Sequence, residues 1–168
     1  MRFKIAFIIA LMFLSGALYA QDDVIIPDFS AYQIEQTEFV PLETLDLTGY
    51  DNKVYKDLLA KSYVADPNLA DKYIVIPVAC GANCQTNFIA NKETGKIIGD
   101  LGSTMSLTTQ RDSNLIIADN YALPLNKPFY KNPLVNEVRY YVIKDDVIKP
   151  LTVISHEDYY RIQQTAEE

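Results

Sequence analysis

The amino-acid sequence predicts an α+β protein with a single domain, mainly an antiparallel β-sheet meander with one packed helix and a short C-terminal helix. Short β-favouring runs separated by turn residues occupy most of the chain after residue 72, at the spacing typical of an antiparallel meander. One earlier segment carries apolar residues at helical spacing. Removing a predicted leader of 20 residues from the 168 leaves 148, a length that suits one domain with a core of its own.

The first 20 residues predict a cleavable secretory signal peptide. Arg2 and Lys4 precede an apolar run from Ile5 to Leu14, and a stretch of small residues ends at Ala20. The apolar run is short for a membrane span, and no cysteine near its end indicates a lipid anchor. We therefore predict cleavage after Ala20, no membrane span after cleavage, and a periplasmic or secreted domain comprising residues 21–168.

The chain is acidic, with a formal net charge of −7. The leader holds two of the 15 cations and none of the 22 carboxylates, so 13 cations face 22 carboxylates after cleavage and the charge becomes −9. This balance argues against nucleic acid and anionic membrane surfaces as partners. It fits a protein that is acidic for solubility, or one that meets a cationic partner.

We predict one or two short strands in residues 28–47. The packed helix is predicted from residue 48 onward. Thr48 followed by Asp51 fits a helix start. We expect the helix to end before Asp66, because the residue that precedes a proline is pushed out of the α region. An apolar stripe that should lie on a sheet runs through Tyr50, Val54, Tyr55, Leu58 and Leu59.

Six segments predict strands. The first is almost continuously apolar, which indicates cover on both faces, and its Pro77 indicates an edge or a bulge. Gly95 supplies the positive φ that a hairpin loop requires, and Asp145-Asp146 marks the turn of the clearest hairpin. The predicted strands are Tyr73–Val78, Gln85–Ala90, Lys96–Gly99, Leu115–Ala118, Arg139–Lys144 and Val147–Ile154.

The end of the chain predicts the short helix. Ser155 followed by Asp158 fits its cap, and His156, the only histidine, is expected to be exposed in its first turn. Residues 99–103 carry two glycines but lack the lysine and the spacing of a phosphate loop, so we predict a turn there.

Residues 121–137 predict a long loop, because Pro124, Pro128 and Pro133 exclude a regular element. The apolar residues of this loop must pack over the core or face a partner. The 12 tyrosines of the chain favour a role in the core and the sheet, although tyrosine is also enriched at interfaces. If the loop meets a partner, the predicted contacts are Tyr121, Phe129, Tyr130 and the exposed member of the pair Tyr140 and Tyr141.

Cys80 and Cys84 are the only cysteines. An exported chain with an even number of cysteines belongs to an oxidising compartment, where disulfides persist. A regular helix would hold the two Cβ atoms about 5–6 Å apart, beyond the ~3.5–4.5 Å that a disulfide prefers, so a bridge requires a tight loop, which Gly81 and Asn83 suit. We favour a structural disulfide over reversible thiol chemistry and over half of a metal site. No metal site and no cofactor are predicted.

The order of these pieces resembles a family of uncharacterised secreted or periplasmic bacterial proteins. The Cys-Gly-x-x-Cys-Gln segment, Cys80–Gln85, is the most specific part of the resemblance, and Val78-Ala79 replaces the Trp-Gly that usually precedes it. The resemblance implies a secreted α+β domain and brings no catalytic residue with it. The other matching segments are Asp28–Tyr32, Pro67–Tyr73, the turn Thr94-Gly95-Lys96, Asp112–Leu115 and Tyr140-Tyr141-Val142.

The sequence favours a non-enzymatic binding module of the cell envelope, with a protein partner such as a cationic secreted hydrolase that it inhibits. No Gly-x-Ser-x-Gly elbow and no Ser-x-x-Lys pair occur, and a Ser-His-acid set would have to use His156. Two alternatives stay open. One is a thiol-active redox protein that uses Cys80 and Cys84, and the other is a carboxylate-dependent hydrolase, whose two carboxyl groups would have to face each other across a cleft.

Overall fold

The protein is a single α+β domain with two antiparallel sheets, as seen in a computed structural model that describes residues 24–104, 107–119 and 137–165. Among these residues no helix is long and apolar enough to cross a membrane. The elements in chain order are a 3-10 helix at Phe29–Tyr32, α1 at Lys53–Ser62, β1 at Tyr73–Gly81, β2 at Cys84–Asn91, β3 at Lys96–Ser103, β4 at Leu107–Thr109, β5 at Leu115–Ala118, β6 at Glu137–Lys144, β7 at Val147–Ser155 and α2 at His156–Thr165.

The strands form two meanders. Strands β1-β2-β3 form one sheet and β4-β5-β6-β7 the other, and every neighbouring pair is antiparallel. The chain leaves the first sheet after Ser103, where Thr104 bonds to Asp119 at the end of β5. Pro77 and Pro150 lie on outermost strands, β1 and β7, where a missing N–H is tolerated.

The main core lies between the two sheets, and each sheet is covered on its other face as well. Alternation along β5 shows this arrangement. Ile116 packs with Ile89 in the core between the sheets, whereas Leu115 and Ile117 pack in a second cluster with Phe29 of the 3-10 helix and Tyr159 of α2. This double cover explains why the apolar strands predicted from the sequence do not alternate with polar residues.

Helix α1 covers the first sheet, but in a different register from the one predicted. It begins at Lys53 because Asn52, rather than Thr48, caps it, accepting bonds from the backbone N–H groups of Val54 (2.9 Å) and Tyr55 (3.3 Å). Leu59 is fully buried and Tyr55 packs beside it, whereas Val54 and Leu58 are 74% and 40% exposed. The predicted stripe was therefore wrong for Val54 and Leu58.

Three other predictions need correction. Residues 99–103 are part of strand β3 rather than a turn. Residues 28–47 contain the 3-10 helix and isolated bridges rather than short strands, since the segment pairs only at Gln33 with Ser113 and at Asp46 with Lys96. The third concerns His156, which is buried rather than exposed.

The turn between β6 and β7 joins the two sheets. Asp145 and Asp146 both adopt left-handed φ angles, +53° and +60°, as a two-residue hairpin turn requires. Asp146 Oδ1 then accepts hydrogen bonds from Tyr73 Oη and Asn91 Nδ2, each at 2.8 Å. Burial and the bond to Asp146 raise the pKa of Tyr73, so this phenol stays a neutral donor.

Gly95 lies where the β2–β3 turn meets the N-terminal part of the chain. Its φ is +68°, as predicted, and its backbone N–H donates to Asn91 O at 2.8 Å. A Cβ atom placed on Gly95 would lie 2.7 Å from the carbonyl oxygen of Thr44. The position therefore excludes a side chain for two reasons, a left-handed backbone and a contact with main-chain atoms.

We expect Gly95→Ala to lower the free energy of unfolding by about 2 kcal/mol or more, because left-handed strain of about 1 kcal/mol adds to displacement of the Thr44 backbone. Gly49→Ala is the matched control, since Gly49 also has a positive φ, +91°, but a Cβ atom placed on it would meet nothing within 4 Å. Urea unfolding of both variants measures the difference, and equal losses would contradict the steric part of the argument.

Candidate functional site

Cys80 and Cys84 form a disulfide at the tip of the β1–β2 hairpin, with their Cα atoms 5.1 Å apart. The predicted bridge is confirmed. Gly81 and Asn83 take the positive φ angles, +148° and +54°, that let the three intervening residues turn. Both cysteines are exposed, and the five-residue loop that they close contributes only about 2 kcal/mol by chain entropy.

An open cleft of about 510 Å³ lies beside this disulfide, at one end of the two sheets. Its lining comes from both sheets and from four different strands. Asp119 and Glu137, the two residues that flank residues 120–136, are part of the lining. The lining residues on strands include Cys80 from β1, Gln85 and Thr86 from β2, Ser103 from β3, and Glu137 and Arg139 from β6.

Asp119 is the centre of the polar contacts in this cleft. Its carboxylate is nearly buried, with the side chain 4% exposed. Oδ1 accepts bonds from the backbone N–H and the hydroxyl of Thr104, at 2.8 and 2.9 Å, and Oδ2 accepts a bond from Arg139 Nη2 at 2.8 Å. Both oxygens therefore bond to residues that also line the cleft, Thr104 and Arg139.

Arg139 connects the two sheets through the same guanidinium group. The β5–β6 ladder pairs Ala118 with Arg139, which brings the following Asp119 within reach, and Nη2 also donates to Gly102 O in β3 at 2.9 Å. Burial alone would lower the pKa of Arg139, but the hydrogen bond to Asp119 and nearby negative charges outweigh it, so the pKa is raised. The guanidinium is therefore a permanent cation in the cleft wall.

His156 is buried, with 4% of its surface exposed, so the prediction that it is exposed was wrong. The reason is that α2 starts directly at the end of β7, which turns its first residue toward the end of β5. There His156 Nε2 lies 2.9 Å from the carbonyl oxygen of Asp119. Ser155 caps the helix as predicted, through the backbone N–H of Asp158 at 3.1 Å.

The polar side chains of the cleft are bonded to one another. The carboxylate of Asp119 accepts bonds from Thr104 and Arg139, and Ser103 Oγ accepts a bond from Asn87 Nδ2 at 2.9 Å. These polar groups therefore fix one another's positions. Within the described ranges no group of three or more histidine, cysteine, aspartate or glutamate residues is placed to hold a metal ion.

The structure separates the five predicted partner contacts. Tyr121, Phe129 and Tyr130 lie outside the described residues. Tyr140 is 1% exposed and packs among apolar residues on the α2 side of its sheet. Tyr141 is half-buried on the opposite face, so it is the more exposed member of the pair.

The sequence did not predict that Asp119, Arg139 and Thr104 belong to the candidate site. Two local signals point to them in retrospect. Asp119 directly follows a fully apolar strand, and Arg139 lies between the apolar residues Val138 and Tyr140. A charged residue in either place needs a partner, but the sequence does not say which one.

A second, larger cleft of about 790 Å³ lies between residues 36–40 and the ion pair Arg111–Asp71, whose atoms Nε and Oδ1 are 2.7 Å apart. Its walls are loop segments rather than strands, and Val40 on its rim is 86% exposed. We therefore regard the cleft beside the disulfide as the stronger candidate.

Comparison with protein-family models, with curated proteins and with solved structures finds no match to this chain. The resemblance to a secreted bacterial family thus stays a prediction.

We expect Asp119 and Arg139 to be energetically coupled. Asp119→Asn keeps a residue that tolerates the left-handed φ of +61° but removes the charge, and we expect a loss of about 2 kcal/mol in unfolding free energy because Arg139 keeps a charge without its partner. The double variant Asp119→Asn with Arg139→Met should lose less than the sum of the single losses by about 1 kcal/mol. Strict additivity in urea unfolding would show that the ion pair does not act as a unit.

The disulfide should contribute little to global stability. We expect the double variant Cys80→Ser with Cys84→Ser to remain folded and to lose about 2 kcal/mol in unfolding free energy, because the closed loop is only five residues long. Circular dichroism and urea unfolding test this. A variant that fails to fold would show that the bridge holds more than its own loop.

Proposed function

We propose that this protein is a non-enzymatic binding module of the cell envelope that holds a protein partner in the cleft beside the Cys80–Cys84 disulfide. The observation that carries the proposal is the cleft itself, a concave surface built from both sheets whose polar floor is fixed by the bonds of Asp119. Delivery to the envelope rests on the predicted leader.

The cleft is suited to binding because its framework is already ordered. Thr104 and Arg139 are held by Asp119, so they lose little conformational freedom when a partner arrives. The rim carries side chains that can bond to the main chain of a partner. Asn83 and Glu137 are exposed there, and Gln85 is half-buried.

Charge favours a cationic partner. After the predicted cleavage 13 cations face 22 carboxylates, a net charge of −9. Among the described residues that line the cleft, Asp119 is paired with Arg139, which leaves Glu137 as the excess negative charge. Acidic surfaces accelerate encounter with basic proteins and reject acidic ones. An inhibitor of a cationic secreted hydrolase is the specific form of binding module that this charge supports.

The carboxylate-dependent hydrolase is the weaker candidate. Asp119 and Glu137 line one cleft, but both oxygens of Asp119 accept hydrogen bonds from Thr104 and Arg139, so this carboxylate is engaged in protein contacts rather than presented to a substrate. Thiol chemistry at Cys80 and Cys84 is compatible with a binding role, because the exposed disulfide does not take part in the contacts of Asp119.

We expect photo-crosslinking to reveal a partner at the cleft. A benzophenone amino acid in place of Asn83 or Gln85, in protein expressed in its own host and recovered from the envelope, should give one discrete crosslinked species. The matched control places the same group at Val54, which is 74% exposed on α1 and outside the cleft lining. Glu137→Lys should reduce the yield from Gln85 at least severalfold, because it reverses a rim charge.

Two results would overturn the proposal. One is a crosslinked species that forms equally well from Val54, or none at all from the two cleft positions. The other is turnover of any substrate in a hydrolase panel that Asp119→Asn abolishes while the protein stays folded.

A further inference from the structure

We propose that the Cys80–Cys84 disulfide is a site of thiol–disulfide exchange with an extracytoplasmic dithiol, and that it reacts asymmetrically: the dithiol attacks Cys84 and Cys80 leaves. This activity goes beyond the proposed binding function and does not depend on it.

The first observation is access. Both cysteines and all three residues between them are exposed, and the two sulfur-bearing residues line an open cleft. A structural disulfide that resists reduction is typically buried, whereas an exposed one can be approached by a thiolate along the S–S axis.

The second observation is that the hairpin is held without the bridge. The β1–β2 ladder runs from Tyr73 paired with Asn91 to Ala79 paired with Gln85 before it reaches the loop that the disulfide closes. Ile76 and Ile89 anchor the two strands in different cores. Opening the S–S bond therefore frees only the tip, and the two thiols stay close enough to re-form it.

The third observation is an asymmetry between the two sulfur atoms. The Thr86 hydroxyl donates to Cys80 Sγ at 3.7 Å, across the strand pair. No described residue makes a corresponding hydrogen bond to Cys84 Sγ. A donor to sulfur stabilises the thiolate more than the neutral thiol, and the better-stabilised thiolate is the better leaving group.

The reaction follows from these contacts. A thiolate of the dithiol attacks Cys84 Sγ, the Cys80–Cys84 bond breaks, and Cys80 departs as a thiolate that accepts the Thr86 hydrogen bond. The second thiol of the dithiol, as its thiolate, then attacks the dithiol sulfur of the mixed disulfide, which releases Cys84 as a thiolate. The protein disulfide gains two electrons, the dithiol is oxidised to its own disulfide, and the two protons of the dithiol end on Cys80 and Cys84.

The test is the rate of reduction of the oxidised full-length domain by dithiothreitol at neutral pH, quenched with N-ethylmaleimide and read by intact mass. We expect Thr86→Val to slow reduction about threefold to tenfold, because the leaving thiolate loses its donor. Thr86→Ser keeps a hydroxyl and should stay near the wild-type rate. If Thr86→Val only loosened the hairpin tip, reduction would become faster, so the sign of the change separates the two causes.

A second measurement identifies the stabilised sulfur. Limiting iodoacetamide added to the reduced protein near pH 7, followed by peptide mapping, should label Cys80 in preference to Cys84, and Thr86→Val should remove the preference. The proposal fails if dithiothreitol reduces the bond only after denaturant is added, if Thr86→Val reacts at the wild-type rate or faster, or if Cys84 is the preferred site of labelling.

Discussion

The structure depends on two aspartates whose carboxylates must find partners between the sheets. Asp119 directly follows β5 and Asp146 directly precedes β7, and both have left-handed φ angles, +61° and +60°. Asp119 bonds to Thr104, just after the first sheet ends, and to Arg139 of the second sheet, while Asp146 bonds to Tyr73 and Asn91 of the first sheet. Asp119 is buried, and a carboxylate removed from water is costly unless its oxygens are bonded. Asp146 is half-buried, and its bonds link the β6–β7 turn to the first sheet. The apolar core between the sheets has no such directional preference, and the aspartates provide it.

This constraint also shapes the candidate site. The group in the cleft that looks most like a reactive centre, the Asp119 carboxylate, is occupied in holding the sheets together, and the only histidine is turned toward the Asp119 carbonyl. What the cleft offers to solvent is an ordered polar surface with an exposed disulfide on one wall. Binding and thiol exchange both fit a surface of that kind, because neither requires a preformed nucleophile and base in hydrogen-bond contact.

The sequence predicted most of the fold where local chemistry decides it. Local residue types predict the conformation of several segments correctly. These are the apolar runs at β1 and β5, the paired aspartates of the β6–β7 turn and the glycine of the β2–β3 turn. Predictions failed where a distant contact decides. Asn52 and Thr48 are both good helix caps, and the structure uses Asn52. The chain leaves the first sheet at Thr104, whose backbone N–H bonds to Asp119, 15 residues away. For the same reason the sequence located the disulfide of the site but not its ion pair.

The ion pair between Asp119 and Arg139 has a consequence for how this protein can vary. These residues stand on either side of residues 120–136, and their bond joins the two ends of that segment at its base. Because loop-closure entropy changes only slowly with length, a segment whose ends are already fastened can be lengthened, shortened or exchanged with little effect on either sheet. The domain should in this respect accept a foreign peptide inserted between Asp119 and Glu137.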